Sequence, residues 1–359
     1  MRLMILRMFW LIALGVMMWG CGTDQPAEVS PNAAQDYLRQ GIVAFQADDL
    51  PKAMTALEQA IALDGSLAEA HRYRGRVREL QGDFRGASSD YDQAIKLNPE
   101  LVEAYFWRGL FNQTQGFFEA AVDDYNAVLA LNAEHTTAYL QRGTVRMWLA
   151  QYPLALADFD QVITLEPEQP LAYSRRGLLY LKQDDIPQAM NDVTHALTLD
   201  PNLAEAYHHR GLVQQARGDI ESAEADFSQA IALDNQVAET YLLRGNARQV
   251  LLQEDLAIQD YTDALALNPN LTEAYLQRGH THRTQGDLAQ AIADYDQAIT
   301  RNAALAEAYY HRGLAQASLK NLVAAVADLK RYLQLSPNAA DFAEVQSWVT
   351  QFEAQLGSR

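Results

Sequence analysis

The sequence predicts an all-α protein: a solenoid of nine stacked helical hairpins followed by a capping helix. Three observations carry that prediction. A glycine recurs every 34 residues, at Gly41, Gly75, Gly109, Gly143, Gly177, Gly211, Gly245, Gly279 and Gly313. An alanine follows each by twelve residues: Ala53, Ala87, Ala121, Ala155, Ala189, Ala223, Ala257, Ala291 and Ala325. Aromatic rings flank both at a spacing of four, which places ring and small residue on one helical face. Tyr37, Tyr105, Tyr139, Tyr173, Tyr207, Tyr241, Tyr275 and Tyr309 precede the glycine, with His71 as the exception, and Tyr91, Tyr125, Phe159, Phe227, Tyr261 and Tyr295 follow the alanine. A glycine inside a helix costs about 1 kcal/mol, so its regular return needs a packing reason, and the close crossing of two helices supplies one.

The elements follow in chain order. Residues 1–20 have the layout of a secretory signal: Arg2 and Arg7, an uncharged apolar stretch from Met8 to Trp19, and Gly20 before Cys21. The stretch is shorter than the roughly 20 residues of a spanning helix, which favours cleavage. Cys21, the lone cysteine, standing directly after that stretch, resembles the lipobox of bacterial lipoproteins, in which the cysteine is diacylated and becomes the mature N-terminus. Met18 and Trp19 depart from the Leu and small residue usual there, so an uncleaved anchor from Leu3 and soluble export stay open. The resemblance implies palmitate-type lipidation of Cys21, and Gly22 after it leans toward the outer membrane, facing the periplasm. Residues 21–33, with Pro26 and Pro31, form a polar tether.

Residues 34–339 hold the nine units. Asp64, Asn98, Asn132, Asp200, Asp234, Asn268, Asn302 and Ser336 close the units as side chains suited to capping a helix start, with Glu166 departing, and Pro99, Pro167, Pro201, Pro269 and Pro337 come next. Units two to nine carry an arginine before the glycine (Arg74, Arg108, Arg142, Arg176, Arg210, Arg244, Arg278, Arg312) and an aspartate sixteen residues later (Asp90, Asp124, Asp158, Asp192, Asp226, Asp260, Asp294, Asp328). The first unit has Gln40 and Ala56, so both partners vanish together. An ion-pair ladder is expected, joining the helices of a unit or adjacent units, and it is structural because a binding site would not repeat in every unit. From residue 340 to 359, Phe342, Val345, Val349, Phe352 and Leu356 form the stripe of a capping helix over the ninth unit.

A 34-residue period with aromatic, Gly, Ala, aromatic, Ala and Pro at these offsets resembles the tetratricopeptide repeat. Arginine before the glycine, and Val128, Val162 and Tyr332 at the third small position, depart from its usual pattern. The resemblance implies a right-handed superhelix whose inner face is lined by the first helix of each unit at its second, fifth, sixth, ninth and twelfth positions. In units three to five it implies a partner groove of Phe106, Trp107, Leu110, Leu140, Met147, Leu171, Arg175, Leu178 and Leu181, with Trp148 adjacent. Trp and Arg are frequent energetic anchors of interfaces, although packing between units would occupy the same side chains. The family's carboxylate clamp needs Lys and Asn at the fifth and ninth positions of one unit. Asn246 has Leu242 in place of that lysine, so chaperone-tail binding is disfavoured.

Composition narrows the function. A net charge of −18 repels phosphate backbones, which excludes nucleic acid as a natural partner. No phosphate loop, metal-protease helix or nucleophile elbow occurs, and no catalytic domain fits outside the repeats, so no enzyme, cofactor or small-molecule substrate is expected. His208, His209, His280, His282 and His311 crowd into units six, eight and nine, and His280 can approach His311 across a unit boundary. Without cysteine or the usual paired spacing they read as polar contacts or plain surface and not as metal ligands. The expectation is a non-catalytic scaffold for partner proteins or peptides at the cell envelope. An assembly factor or chaperone that holds envelope subunits transiently is the alternative.

Overall fold

The structure is a computed structural model that describes residues 32–357; Cys21, the signal and most of the tether lie outside them. The described residues are helical without any strand, and fall into two compact bodies that meet at the junction of Ala104 and Tyr105 in the sequence. In the first, α1 (Ala33–Gln46) pairs with α2 (Leu50–Leu63), and α3 (Ala68–Leu80) with α4 (Phe84–Leu97). The second begins within α5 (Val102–Thr114). It continues with α6 (Phe118–Leu131), α7 (Thr136–Trp148), α8 (Tyr152–Leu165), α9 (Pro170–Lys182), α10 (Ile186–Leu199), α11 (Ala204–Arg217) and α12 (Ile220–Leu233). Then come α13 (Ala238–Val250), α14 (Glu254–Leu267), α15 (Thr272–Gln285), α16 (Leu288–Arg301), α17 (Ala306–Ser318), α18 (Leu322–Leu335) and the terminal α19 (Phe342–Gly357). Odd-numbered helices up to α17 are the first helix of a hairpin, here the A-helix, and even-numbered ones the B-helix.

The small residues sit where the helices cross. Every alanine that follows the glycine by twelve is fully buried. The recurrent glycine admits the residue sixteen positions on: a methyl group on Gly143 would stand 2.8 Å from Cε1 of Phe159, and one on Gly211 2.6 Å from Cε1 of Phe227. Those rings and the corresponding tyrosines are the largest fully buried side chains of the described residues. Six hairpins thus bury a B-helix ring under an A-helix glycine, and Leu57, Val193 and Leu329 take the ring's place in units one, five and nine.

The arginine–aspartate ladder forms in all eight units that carry it. Its aspartates are buried and take the guanidinium through two nitrogens, as Asp226 does with Arg210 at 2.7 and 2.6 Å. Arg142, Arg176, Arg244, Arg278 and Arg312 also reach back to the preceding B-helix, at Asn126, Asp160, Ser228, Thr262 and Asp296. The ion-pair ladder therefore joins the two helices of a unit, and it extends between adjacent units as an ion pair at Arg176–Asp160 and Arg312–Asp296. From Arg108 onward each of these arginines lies over the tyrosine three residues before it, at 5.3–5.8 Å, which gives the first aromatic of the repeat a second role. Such pairs fix register more surely than they add stability.

The unit-closing Asp and Asn side chains do not cap the next A-helix. They accept from the amide two residues on, as Asp64 does from Ser66 at 2.9 Å and Asn132 from Glu134 at 3.1 Å, and the A-helix starts only after a further turn. These are Asx turns, because a short side chain reaches the second amide before any helix has begun. Helix-capping aspartates occur instead before B-helices: Asp49, Asp83, Asp185 and Asp219 each accept from the amide three residues on. One residue before that position the backbone is left-handed in every unit. Gly82, Gly116, Gly218 and Gly286 occupy it in four, while Asp48, Ala150, Asp184, Leu252 and Lys320 hold φ of 56–63°. On α19, Val345 and Val349 bury against Leu329 and Leu333 of α18, with Phe342, Phe352 and Leu356 packed around them.

Candidate partner-binding site

The A-helices of units three to five place the expected groove residues at three depths. Phe106 on α5 is buried, its ring 5.0 Å from that of His135 and 6.1 Å from that of Tyr125. Leu140 and Met147 on α7 are buried in one cluster with Phe159 and Leu179, against which Leu171 and Leu178 of α9 pack from the side. Trp107 and Leu110 are half-buried, Trp107 meeting Phe106 edge-on at 5.7 Å. Trp148, at the last turn of α7, is 50% exposed and packs at 5.3 Å against Phe118, the first residue of α6. The expected apolar residues that stay partly exposed are therefore Trp107, Leu110, Leu171, Leu178 and Leu181, and above all Trp148.

Arg175 on α9 is committed to its neighbours. It donates to Glu205 of α11 at 2.8 Å and to Thr144 of α7 at 3.1 Å, so one guanidinium ties three successive A-helices. Burial works against the Glu205 carboxylate, but the Arg175 hydrogen bond and charge hold it below the usual carboxylate range. Beside it Ser174 meets His209 at 2.8 Å and His208 meets Thr240 at 2.9 Å. Burial pushes His209 down to about 4, so it stays a neutral hydrogen-bonding group at pH 7. Asn246, half of the missing clamp, accepts from the Tyr261 hydroxyl at 2.9 Å.

Two neighbourhoods were passed over by the sequence reading. Phe117 stands where four other units carry a capping aspartate, makes no cap hydrogen bond and is 60% exposed beside Phe118. A large apolar side chain in place of a capping residue was the available signal, because local propensity is given up there without a local gain. The second is Glu307, four residues before His311 on α17. Together with His280 of α15 they form a cluster whose nitrogen and oxygen atoms lie within 4.8 Å of one another. Burial holds His280 down to about 4 and His311 down to about 3, the nearby Arg283 charge adding to both. Burial and the Glu273 carboxylate push Glu307 up. Among the described residues no helix is long and apolar enough to cross a membrane.

Comparison with known proteins agrees with this architecture. Tetratricopeptide-repeat patterns match residues 38–87 and 276–340, 75–116, and 171–203 and 204–237. The chain belongs to the tetratricopeptide-repeat family. No curated protein matches it significantly. Among solved structures, a tetratricopeptide repeat protein from Parabacteroides merdae is similar with a TM-score of 0.61 at 20% identity, over 69% of this chain and 98% of that one. PilF of Pseudomonas aeruginosa is similar with a TM-score of 0.55 at 15% identity, over 59% of this chain and 96% of its own. PilW, a widely conserved type IV pilus biogenesis factor, follows with 0.53 at 21% identity, over 59% and 98%. At these identities the likeness is one of fold.

Proposed function

We propose that the chain is a non-catalytic scaffold that binds partner proteins or peptides along the A-helices of units three to five, with Trp148 and Trp107 as anchors, and that a lipid on Cys21 holds it at an envelope membrane. The supporting observation is the half-exposed Trp148 packed at a tilt against Phe118, next to the exposed Phe117. Solvent-exposed rings grouped in this way, within a protein of net charge −18, are a typical contact surface for another protein. On the same face Arg175 bonds across to Glu205 and Thr144, which ties neighbouring A-helices and preorganises the surface for a partner.

Crosslinking in cells followed by mass spectrometry, comparing the parent with Trp107→Ala plus Trp148→Ala, tests the surface. The double variant should lose its principal crosslinked partners while keeping its helical signal, and an unchanged partner set would rule this surface out. Cys21→Ala tests the anchor separately: it should release the protein from membranes and abolish palmitate labelling.

A further inference from the structure

We propose that His280, Glu307 and His311 form a binding site for a divalent transition-metal ion of the zinc type. His280 comes from α15 of unit eight; Glu307 and His311 lie one turn apart on α17 of unit nine. Their ligand atoms converge: Nε2 of His280 is 3.4 Å and Nε2 of His311 3.8 Å from the same Glu307 oxygen. A tetrahedral ion with bonds of about 2.0–2.2 Å requires its ligand atoms to stand about 3.4 Å apart. The two distances to Glu307 are thus near that spacing, and all three ligand atoms lie within 4.8 Å of one another, so a small side-chain adjustment would complete a coordination shell.

The surroundings favour an ion over a simple hydrogen-bonded cluster. Nε2 of His280 is buried and has no hydrogen-bond partner, and a buried polar atom left so calls for an ion or water. The other nitrogen of the ring, Nδ1, is held by the Tyr295 hydroxyl at 3.2 Å, which directs Nε2 at Glu307 in the way that outer hydrogen bonds orient metal-bound histidines. Arg283 opposes a second cation here. Two carboxylates, Glu307 and the neighbouring Glu273, stand against that single charge, so the local balance admits a divalent ion.

Two imidazoles and one carboxylate suit zinc, with copper and nickel as the nearest competitors. Three protein ligands leave a fourth position, and with Glu307 54% exposed it faces solvent. An ion there would pin α15 to α17 and so lock units eight and nine together. The sequence argued against ligation because no single helix carries a paired-histidine spacing, and the pairing is made across a unit boundary instead.

The test uses the full chain in detergent, without a polyhistidine tag and stripped with chelator. Calorimetric titration with Zn²⁺ should give one ion per chain, and Co²⁺ should produce the strong visible absorption of a four-coordinate ion. His280→Gln, His311→Gln and Glu307→Gln should each weaken Zn²⁺ binding at least about tenfold. His208→Gln, in unit six, should leave it unchanged. Circular dichroism melts check folding, and Glu307→Gln, whose side chain is largely exposed, carries the comparison if a histidine variant is unstable. No Zn²⁺ heat and no Co²⁺ absorption on the parent chain would overturn the proposal, as would full binding in His280→Gln plus His311→Gln.

Discussion

Replacing Gly211 by alanine sets two opposing effects against each other in one methyl group. In an unencumbered helix the change stabilises by about 1 kcal/mol, because alanine has the higher helix propensity. At Gly211 the new Cβ would stand 2.6, 2.8 and 3.0 Å from three carbons of the Phe227 ring, and that ring is fully buried. Contacts this short force the ring and the two helices apart, and overpacking of this kind costs roughly 1–3 kcal/mol. The clash offsets or outweighs the propensity gain, and we expect a net loss of up to about 2 kcal/mol for Gly211→Ala in place of the gain an open helix would show. In a Phe227→Ala background the obstacle is gone and the same substitution should stabilise by about 1 kcal/mol. Urea unfolding of the four proteins of the cycle measures this, with native-state hydrogen exchange on α11 and α12 because repeat arrays depart from two-state behaviour. Gly75→Ala, where the nearest ring atom is 3.1 Å away, should be milder. If Gly211→Ala stabilised equally in both backgrounds, the close crossing of the helices would not be the reason for the glycine.

Two further predictions concern charge. Arg210→Leu or Asp226→Leu alone leaves a largely buried partner uncompensated and should cost roughly 3–5 kcal/mol, while the double variant should cost clearly less than the sum; strictly additive losses in the cycle would refute the pairing. His209, pushed by burial from 6.5 down to about 4, binds its proton more readily in the unfolded chain. Its contribution to stability is therefore complete above pH ~6.5 and lost as pH falls toward 4, about 3 kcal/mol in all. His280 and His311 act with the same sign, so His209→Gln should reduce the acid-induced loss in urea titrations across that window without abolishing it.

The hairpin order, the crossing through glycine and alanine, and the ladder could be read from the chain because each depends on residues inside one 34-residue period. Asp226 lies sixteen residues from Arg210, and helical geometry within one hairpin is enough to bring them together. The Asx turns were misread because Asp, Asn and Ser serve loops and helix caps alike, and only the backbone that follows decides between them.

What the sequence determined by itself is thus the repeat: a local pattern, restated nine times, that leaves the all-helical stack as the consistent solution. The tertiary structure decided which of its lining residues stay open. Helical periodicity assigns Phe106, Leu140, Met147 and Trp148 to their helix faces, but burial there depends on the size of side chains thirty or so residues away, on the adjoining hairpin. His135 covers Phe106, Glu205 engages Arg175, and Glu307 comes to His280 only through the stacking of neighbouring units. The period of a repeat carries no record of such contacts, because they arise from what differs between one unit and the next.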